Sequence, residues 1–211
     1  MSFKKRDWFL KKKISSYQRS FKKYGINSNA LQWKSEKSAE LRYQELMADL
    51  DFEGKTILDV GCGFGDIIPY ISRKTNKFDF TGVDMVPEFI QAAQKKYPEY
   101  RFILRDYFSH PMKEKFDIVI SSGTLNSNFK NVYCFRKKAI KTLFDHALEG
   151  IGFNMAGFYP QPENKESSKV YYADSLIFLK YCLSLSSKLI FRHHYHRKDF
   201  TIVIFKQEEN F

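Results

Sequence analysis

Short apolar runs alternate with longer stretches of mixed polarity along most of this chain. KTILDV (residues 55–60) carries Ile57, Leu58 and Val60 in a short run, and FDFTGVD (78–84), RFILRD (101–106), KFDIVISS (115–122) and IGFNMAGF (151–158) repeat the pattern of short apolar runs. Each run has strand length, and a run without strict alternation suits a strand covered on both faces. Between the runs, apolar positions recur at helical spacing. DIIPYISRK follows the first strand as a helix from about Asp66, with Pro69 in its first turn, where proline is tolerated. Pro87 opens a second helix with Phe89, Ile90, Ala93 and Tyr97 on one face, and a longer one over about 132–148 carries Val132, Phe135, Ala139, Ile140, Leu143 and Ala147. Asp174 is placed to cap SLIFLKYCL. KLIFRHH and FTIVIFK, on either side of YHRKD, read as a closing hairpin. Strand–helix alternation predicts an α/β fold, a mostly parallel sheet with helices on both faces, and the hairpin predicts an antiparallel strand at its edge.

The segment before the first strand has a different character. Residues 1–23 hold nine Lys/Arg against one acid, Asp7, and so carry +8 of the chain's formal +11. Phe3, Leu10, Ile14, Tyr17 and Phe21 recur there at spacings of three, four and seven, as one face of a helix would. This predicts a basic N-terminal helical extension, residues 1–50, ahead of a domain over 51–211. The favoured reading packs the apolar stripe on that domain and solvates the lysines. The alternative is a patch for nucleic acid, an anionic surface or an acidic substrate.

The remaining composition narrows the class. A chain of 211 residues, 43% hydrophobic, suffices for one domain with a buried core. Three cysteines, Cys62, Cys134 and Cys182, are odd in number and widely spaced, which argues against a disulfide framework. No apolar run approaches the roughly 20 residues of a membrane span, and the first residues lack a signal-peptide core. A cytoplasmic protein is expected.

Chemistry concentrates at the ends of the expected strands. TILDVGCGFGD (56–66) places Gly61, Gly63 and Gly65 directly after the first strand, where a ligand can lie against bare backbone. The related G-x-G-x-x-G turn of dinucleotide enzymes aims a helix N-terminus at a pyrophosphate. Here the spacing is G-x-G-x-G, and Asp59 and Asp66 flank it. Those acids would repel a pyrophosphate and attract an ammonium group. Asp84 ends the second strand, where a carboxylate can accept both hydroxyls of a ribose. Asp106 ends the third and could accept from an adenine amine while Tyr107 packs on the ring. An amino acid joined to an adenine nucleoside fits this order of groups. That ligand is S-adenosylmethionine.

ILDVGCGFGD, GVDMVPEFI, RDYF and FDIVISSGTLN resemble, in order, the first four motifs of the class I S-adenosylmethionine-dependent methyltransferases. The resemblance is strong over about residues 55–126 and looser beyond. It implies a Rossmann-like seven-stranded sheet with an antiparallel last strand. It implies Asp59, Gly61 and Gly63 near the methionine moiety, Asp84 on the ribose, and Met85, Asp106 and Tyr107 around the adenine. Ser121 and Ser122 would line the path to the sulfur. YGINSNALQWKSEKSAELRYQEL, YYAD and RHHYHRKDFTIVIF further resemble a subgroup of bacterial members. That likeness puts Trp33 and Arg42, on the helix before the sheet, over the cofactor, with Arg42 able to pair with its carboxylate.

The acceptor side is less marked. An Asn/Asp-Pro-Pro-aromatic motif, frequent in methyltransferases of adenine or glutamine amino groups, is replaced by SSGTLNSNF. Asn126 is a candidate substrate contact, and Asn128 reads better as loop polarity. His193, His194 and His196 crowd one segment. His193 is a candidate base, and no third ligand at suitable spacing argues for a metal. The loop 159–172 is either an exposed connection or a lid. The expected function is methyl transfer by in-line displacement to a small-molecule acceptor, leaving S-adenosylhomocysteine. The alternatives are an RNA or protein methyltransferase that uses the basic arm, and a non-catalytic domain that only binds the cofactor.

Overall fold

The computed structural model describes residues 3–33 and 35–207. Seven strands form one continuous sheet: β1 (Lys55–Val60), β2 (Phe78–Asp84), β3 (Arg101–Leu104), β4 (Phe116–Ser122), β5 (Ala147–Phe158), β7 (Leu189–Arg192) and β8 (Asp199–Phe205). The order across it is β3-β2-β1-β4-β5-β8-β7, and the two-residue β6 (Ala173–Asp174) pairs alongside β5. The first five strands of this path pair in parallel, and β8 runs antiparallel to both β5 and β7. The hairpin expected from the sequence is present, but its last strand does not form the edge. β8 inserts between β5 and β7, so the antiparallel strand is interior, and β8 is buried from Asp199 through Ile204.

Six helices surround the sheet: α1 (Phe3–Tyr24), α2 (Glu36–Met47), α3 (Ile68–Ser72), α4 (Pro87–Lys96), α5 (Val132–His146) and α6 (Ser175–Leu183). Alternation along each strand divides the core. Leu58, Val119, Ile202 and Ile204 face one layer with Ile140 and Leu143 of α5 and Phe178 of α6. Ile57, Ile118, Ile120 and Val203 face the other with Leu46 of α2, Ile68 of α3 and Ile90 of α4. Sequence signals act where expected: Pro87 stands in the first turn of α4, and the Asp174 carboxylate accepts from the Leu176 amide at 2.9 Å. Two boundaries differ from expectation. α3 starts at Ile68 and lasts five residues, because residues 61–67 are used in the glycine turn. β5 begins at Ala147, directly after α5, and runs twelve residues.

The N-terminal segment packs on the domain. Tyr17 and Phe21 of α1 meet Phe64 and Phe89 edge-on or tilted at 5.6–6.1 Å, and Phe64 and Phe89 meet each other at 4.9 Å, in one aromatic cluster. Full burial of Phe64 and Phe89 contributes about 1.5–3 kcal/mol each, which anchors the patch α1 lies on. The Gln18 amide donates to Glu88 at 2.9 Å. Lys11, Lys12, Arg19, Lys22 and Lys23 face solvent. Phe3, the first position of the expected stripe, lies outside the described side chains.

Candidate functional site

The carboxyl ends of β1, β2, β3 and β4 open into a cavity of about 410 Å³, and α1 lies across it with Leu10, Lys13 and Tyr17 in the wall. The floor follows from the glycine turn. The amides of Gly61 and Cys62 both donate to the Val83 carbonyl, at 2.8 and 3.1 Å, which folds the turn back on the end of β2. Gly61 and Gly63 have φ of +81° and +54°, a region that side chains rarely adopt. A Cβ at Gly61 would collide with the Thr124 hydroxyl, and one at Gly63 would lie 2.9 Å from a Leu31 methyl. Only bare backbone fits between the turn and these neighbours.

Three acids sit on this floor. Asp59 is 4% exposed, and its Oδ1 has no hydrogen-bond partner. Burial first, and the charge of Asp84 second, push its carboxyl up to about 8. An orphaned buried carboxylate oxygen is a standing cost unless a cationic donor meets it. An α-ammonium group meets that need. Asp84 accepts from the Gly63 amide at 3.1 Å and from the Val86 amide at 2.9 Å, one on each oxygen. Those amides orient the carboxylate and leave each oxygen a further lone pair for a hydroxyl. Burial raises its pKa against the pull of these bonds. Asp106 is held by Ser109, whose hydroxyl and amide both donate to it. The residues present fit S-adenosylmethionine: an unpaired acid for its amine, an oriented acid for its ribose, and apolar side chains beyond.

The other sequence candidates divide. Met85, Tyr107, Ser122, Trp33 and Asn126 join Asp59, Gly61, Gly63, Asp84 and Asp106 in the cavity wall. The Tyr107 hydroxyl turns away and meets His146 Nδ1 at 2.5 Å, so the residue offers its ring. Trp33 lies in the turn before α2, not on the helix, and Gly123 makes room for it: a Cβ there would sit 2.8 Å from the indole. The Asn126 Oδ1 accepts from the Ala156 amide at 2.7 Å.

Three candidates are placed elsewhere. Ser121 is 1% exposed, donates to the Val60 carbonyl at 2.9 Å and is outside the wall, because alternation along β4 turns it inward beside Val119. Arg42 lies behind the wall, 5.1 Å from the Trp33 ring, and is ion-paired with Asp199 through Nε and Nη2. His193 is exposed on the turn between β7 and β8, packed on Phe158 and Phe191, and does not reach the cavity. Among the described residues, no three His, Cys, Asp or Glu side chains come together as a metal site.

Several wall residues carry no site signal in the sequence. Tyr17 belongs to the apolar stripe of α1 and Lys13 to its basic run, and neither pattern says what the helix covers. Thr124 and Leu31 have no signal beyond lying within GTLN and NALQW. Lys169 and Val170 enter from the loop 159–172, which is tied down by a bridge between Ser127 and Val170 and by the Asn128 amide donating to the Lys169 carbonyl at 3.0 Å. Asn128 also donates through its side chain to the Ser168 carbonyl at 3.0 Å, so it holds the loop.

Comparison with known proteins agrees with this geometry. The family described as a methyltransferase domain matches residues 51–186. A Mycobacterium tuberculosis protein named as a methyltransferase is 28% identical over 156 residues, covering 72% of this chain and 93% of that protein. The malonyl-[acyl-carrier protein] O-methyltransferase of Priestia megaterium is 28% identical over 166 residues, covering 74% of this chain and 57% of that longer protein. The crystal structure of magnesium protoporphyrin IX methyltransferase from Synechocystis PCC 6803, with S-adenosylhomocysteine bound, superposes with a TM-score of 0.64 at 14% identity, covering 96% of this chain and 98% of that one. The chain belongs to the class I S-adenosylmethionine-dependent methyltransferases. No helix among the described residues is long and apolar enough to cross a membrane.

Proposed function

We propose that this methyltransferase acts on a small-molecule acceptor held between the cofactor floor and the roof formed by α1 and the loop 159–172. The observation that carries this reading is the cavity itself. One continuous wall includes the acids at the strand ends and the apolar and basic residues opposite them. Asp59 would receive the cofactor's ammonium group, Asp84 its ribose hydroxyls, and Met85 and the Tyr107 ring its adenine, with Asp106 at the adenine edge. Bound there, S-adenosylmethionine supplies a sulfonium methyl group for in-line displacement.

The chain's own contribution is orientation and exclusion of water. Tyr17 and Leu10 cover the cavity from α1, and Leu125, Phe129 and Val170 close it from the side. Among the described residues no histidine lines the wall, and the Asn126 Oδ1 already accepts from the backbone. For an acceptor whose nucleophile arrives neutral or already deprotonated, near-attack positioning suffices. The roof that α1 and the loop 159–172 place over the cavity supports a small acceptor over RNA or protein, and the exposed lysines of α1 lie outside the cavity.

The test is calorimetric. S-adenosylhomocysteine should bind the full chain, and Asp84→Ala should weaken it by about 1.5–3 kcal/mol while leaving the fold intact. Unchanged affinity in a folded Asp84→Ala variant would remove Asp84 from the ribose site. No binding at millimolar ligand would remove the whole assignment.

A further inference from the structure

The cavity's charges come from two sets of elements. Asp59, Asp84 and Asp106 sit at strand ends together with Arg105, whose guanidinium donates to the His110 and Pro111 carbonyls, whereas Lys13, Lys130 and Lys169 enter from α1, the segment before α5 and the loop 159–172. None of these three lysines is ion-paired with a carboxylate among the described residues. Lys13 is half-buried, and its ammonium rests 5.0 Å from the Tyr17 ring centre. Lys130 and Lys169 are exposed, while burial, and then the charge of Lys169 in the same wall, lower the pKa of Lys13. A half-buried ammonium with a like charge nearby is unfavourable without an anion. The cofactor's single carboxylate could answer one of these charges and not all three. Beside them the wall is aromatic: Phe135 meets Phe108 at 5.7 Å and Phe129 at 5.1 Å, edge-on in both cases.

We propose that the methyl acceptor is an organic acid whose anionic head lies between Lys13 and Lys169 and whose apolar body rests on Phe108, Phe129 and Phe135. This rests on the small-molecule reading above and names its chemical class. A neutral acceptor would leave the half-buried Lys13 ammonium unanswered, and a cationic one would be repelled by both lysines. The same charges would draw an acid into the cavity, past floor acids that the cofactor's amine and ribose occupy.

The probes are matched sets on phenyl, naphthyl and decyl bodies, each as a carboxylate, a phosphate monoester and a carboxamide. They are titrated into full-length protein saturated with S-adenosylhomocysteine. At least one body should bind, with an acid tighter than its carboxamide by about tenfold, and Lys13→Met or Lys169→Met should remove that preference. Comparing the carboxylate with the phosphate ester identifies the head. Carboxamides binding as tightly as acids, no member binding, or a preference that survives both substitutions would each overturn the proposal. So would a Lys13→Met variant that loses S-adenosylhomocysteine instead, because that ammonium would then serve the cofactor's carboxylate. Cofactor affinity is measured first on the wild-type chain, so failure of the methyltransferase site registers before any acid is added.

Discussion

Asp59 and Asp199 lie on strands of one sheet and are almost equally withdrawn from water, at 4% and 1% exposure. Burial raises both pKa values, Asp59 to about 8 and Asp199 to about 6. The difference is what each one meets. Asp199 accepts from the Arg42 guanidinium and, at 3.4 Å, from the Tyr195 hydroxyl, and these bonds pull its pKa back down. Asp59 meets no cation, only the added repulsion of Asp84. Among the described residues the chain supplies a counter-charge for Asp199 and none for Asp59. A buried acid with its own arginine is architecture. One without a partner, on a cavity wall, is the ground for the proposed ammonium site.

The comparison breaks most visibly if the arginine is removed. Arg42→Met should cost about 3–5 kcal/mol in urea unfolding, since Asp199 would be left buried without a cation. The double variant Arg42→Met/Asp199→Asn should recover most of that. A loss below about 1 kcal/mol in the single variant would mean that the pair is not structural. Next in size is Asp59→Asn, whose two effects should have opposite signs. S-adenosylhomocysteine affinity should fall by about 1.5–3 kcal/mol with the charged hydrogen bond, while the ligand-free protein should melt higher because a desolvated acid has gone. Melting at a lower temperature would place Asp59 with Asp199, as part of the architecture.

The finest distinction is in pH. The folded-state pKa of Asp59 lies above its unfolded value of 3.8. The native state therefore keeps that proton longer, and stability drains away as pH rises from the unfolded value to the folded one. Between about pH 4 and pH 8 the ligand-free wild type should lose stability relative to Asp59→Asn, with no further divergence above that range. Binding of an ammonium ligand should displace the proton. Affinity for S-adenosylhomocysteine should then rise towards pH 8 with a slope of at most about tenfold per unit, and level off. A flat calorimetric profile in the wild type would show that Asp59 is already ionised in the free protein.

Much of this arrangement was legible in the sequence, for reasons that also mark its limits. Strand runs and helix caps are local, so β2 was bounded to the residue and Asp174 was correctly read as a cap. Strand order is not local. Periodicity tells which way a side chain points and not which strand lies beside it, and β8 was placed at the edge when it belongs in the interior. The Arg42–Asp199 pair joins residues 157 positions apart, and no spacing signal reaches that far. Ser121 shows the opposite case: alternation alone puts it on the Val119 face of β4, away from the path that the family motif implies. The apolar stripe of α1 is visible in the sequence, but what it covers depends on where the helix lands.

That landing place has a consequence for how such an enzyme can change. Leu10, Lys13 and Tyr17 all precede residue 51, where the match to the shared family domain begins, whereas the floor acids lie inside it. The α1 part of the roof is therefore written in a stretch of sequence separable from the floor, while the loop 159–172 and Phe108, Phe129 and Phe135 share the family domain with the acids. A change of residue type at the inward positions of α1 alters what the chamber admits while Asp59, Asp84 and the glycine turn stay as they were. The helical part of the roof can drift while the strand-end floor is held still by the sheet.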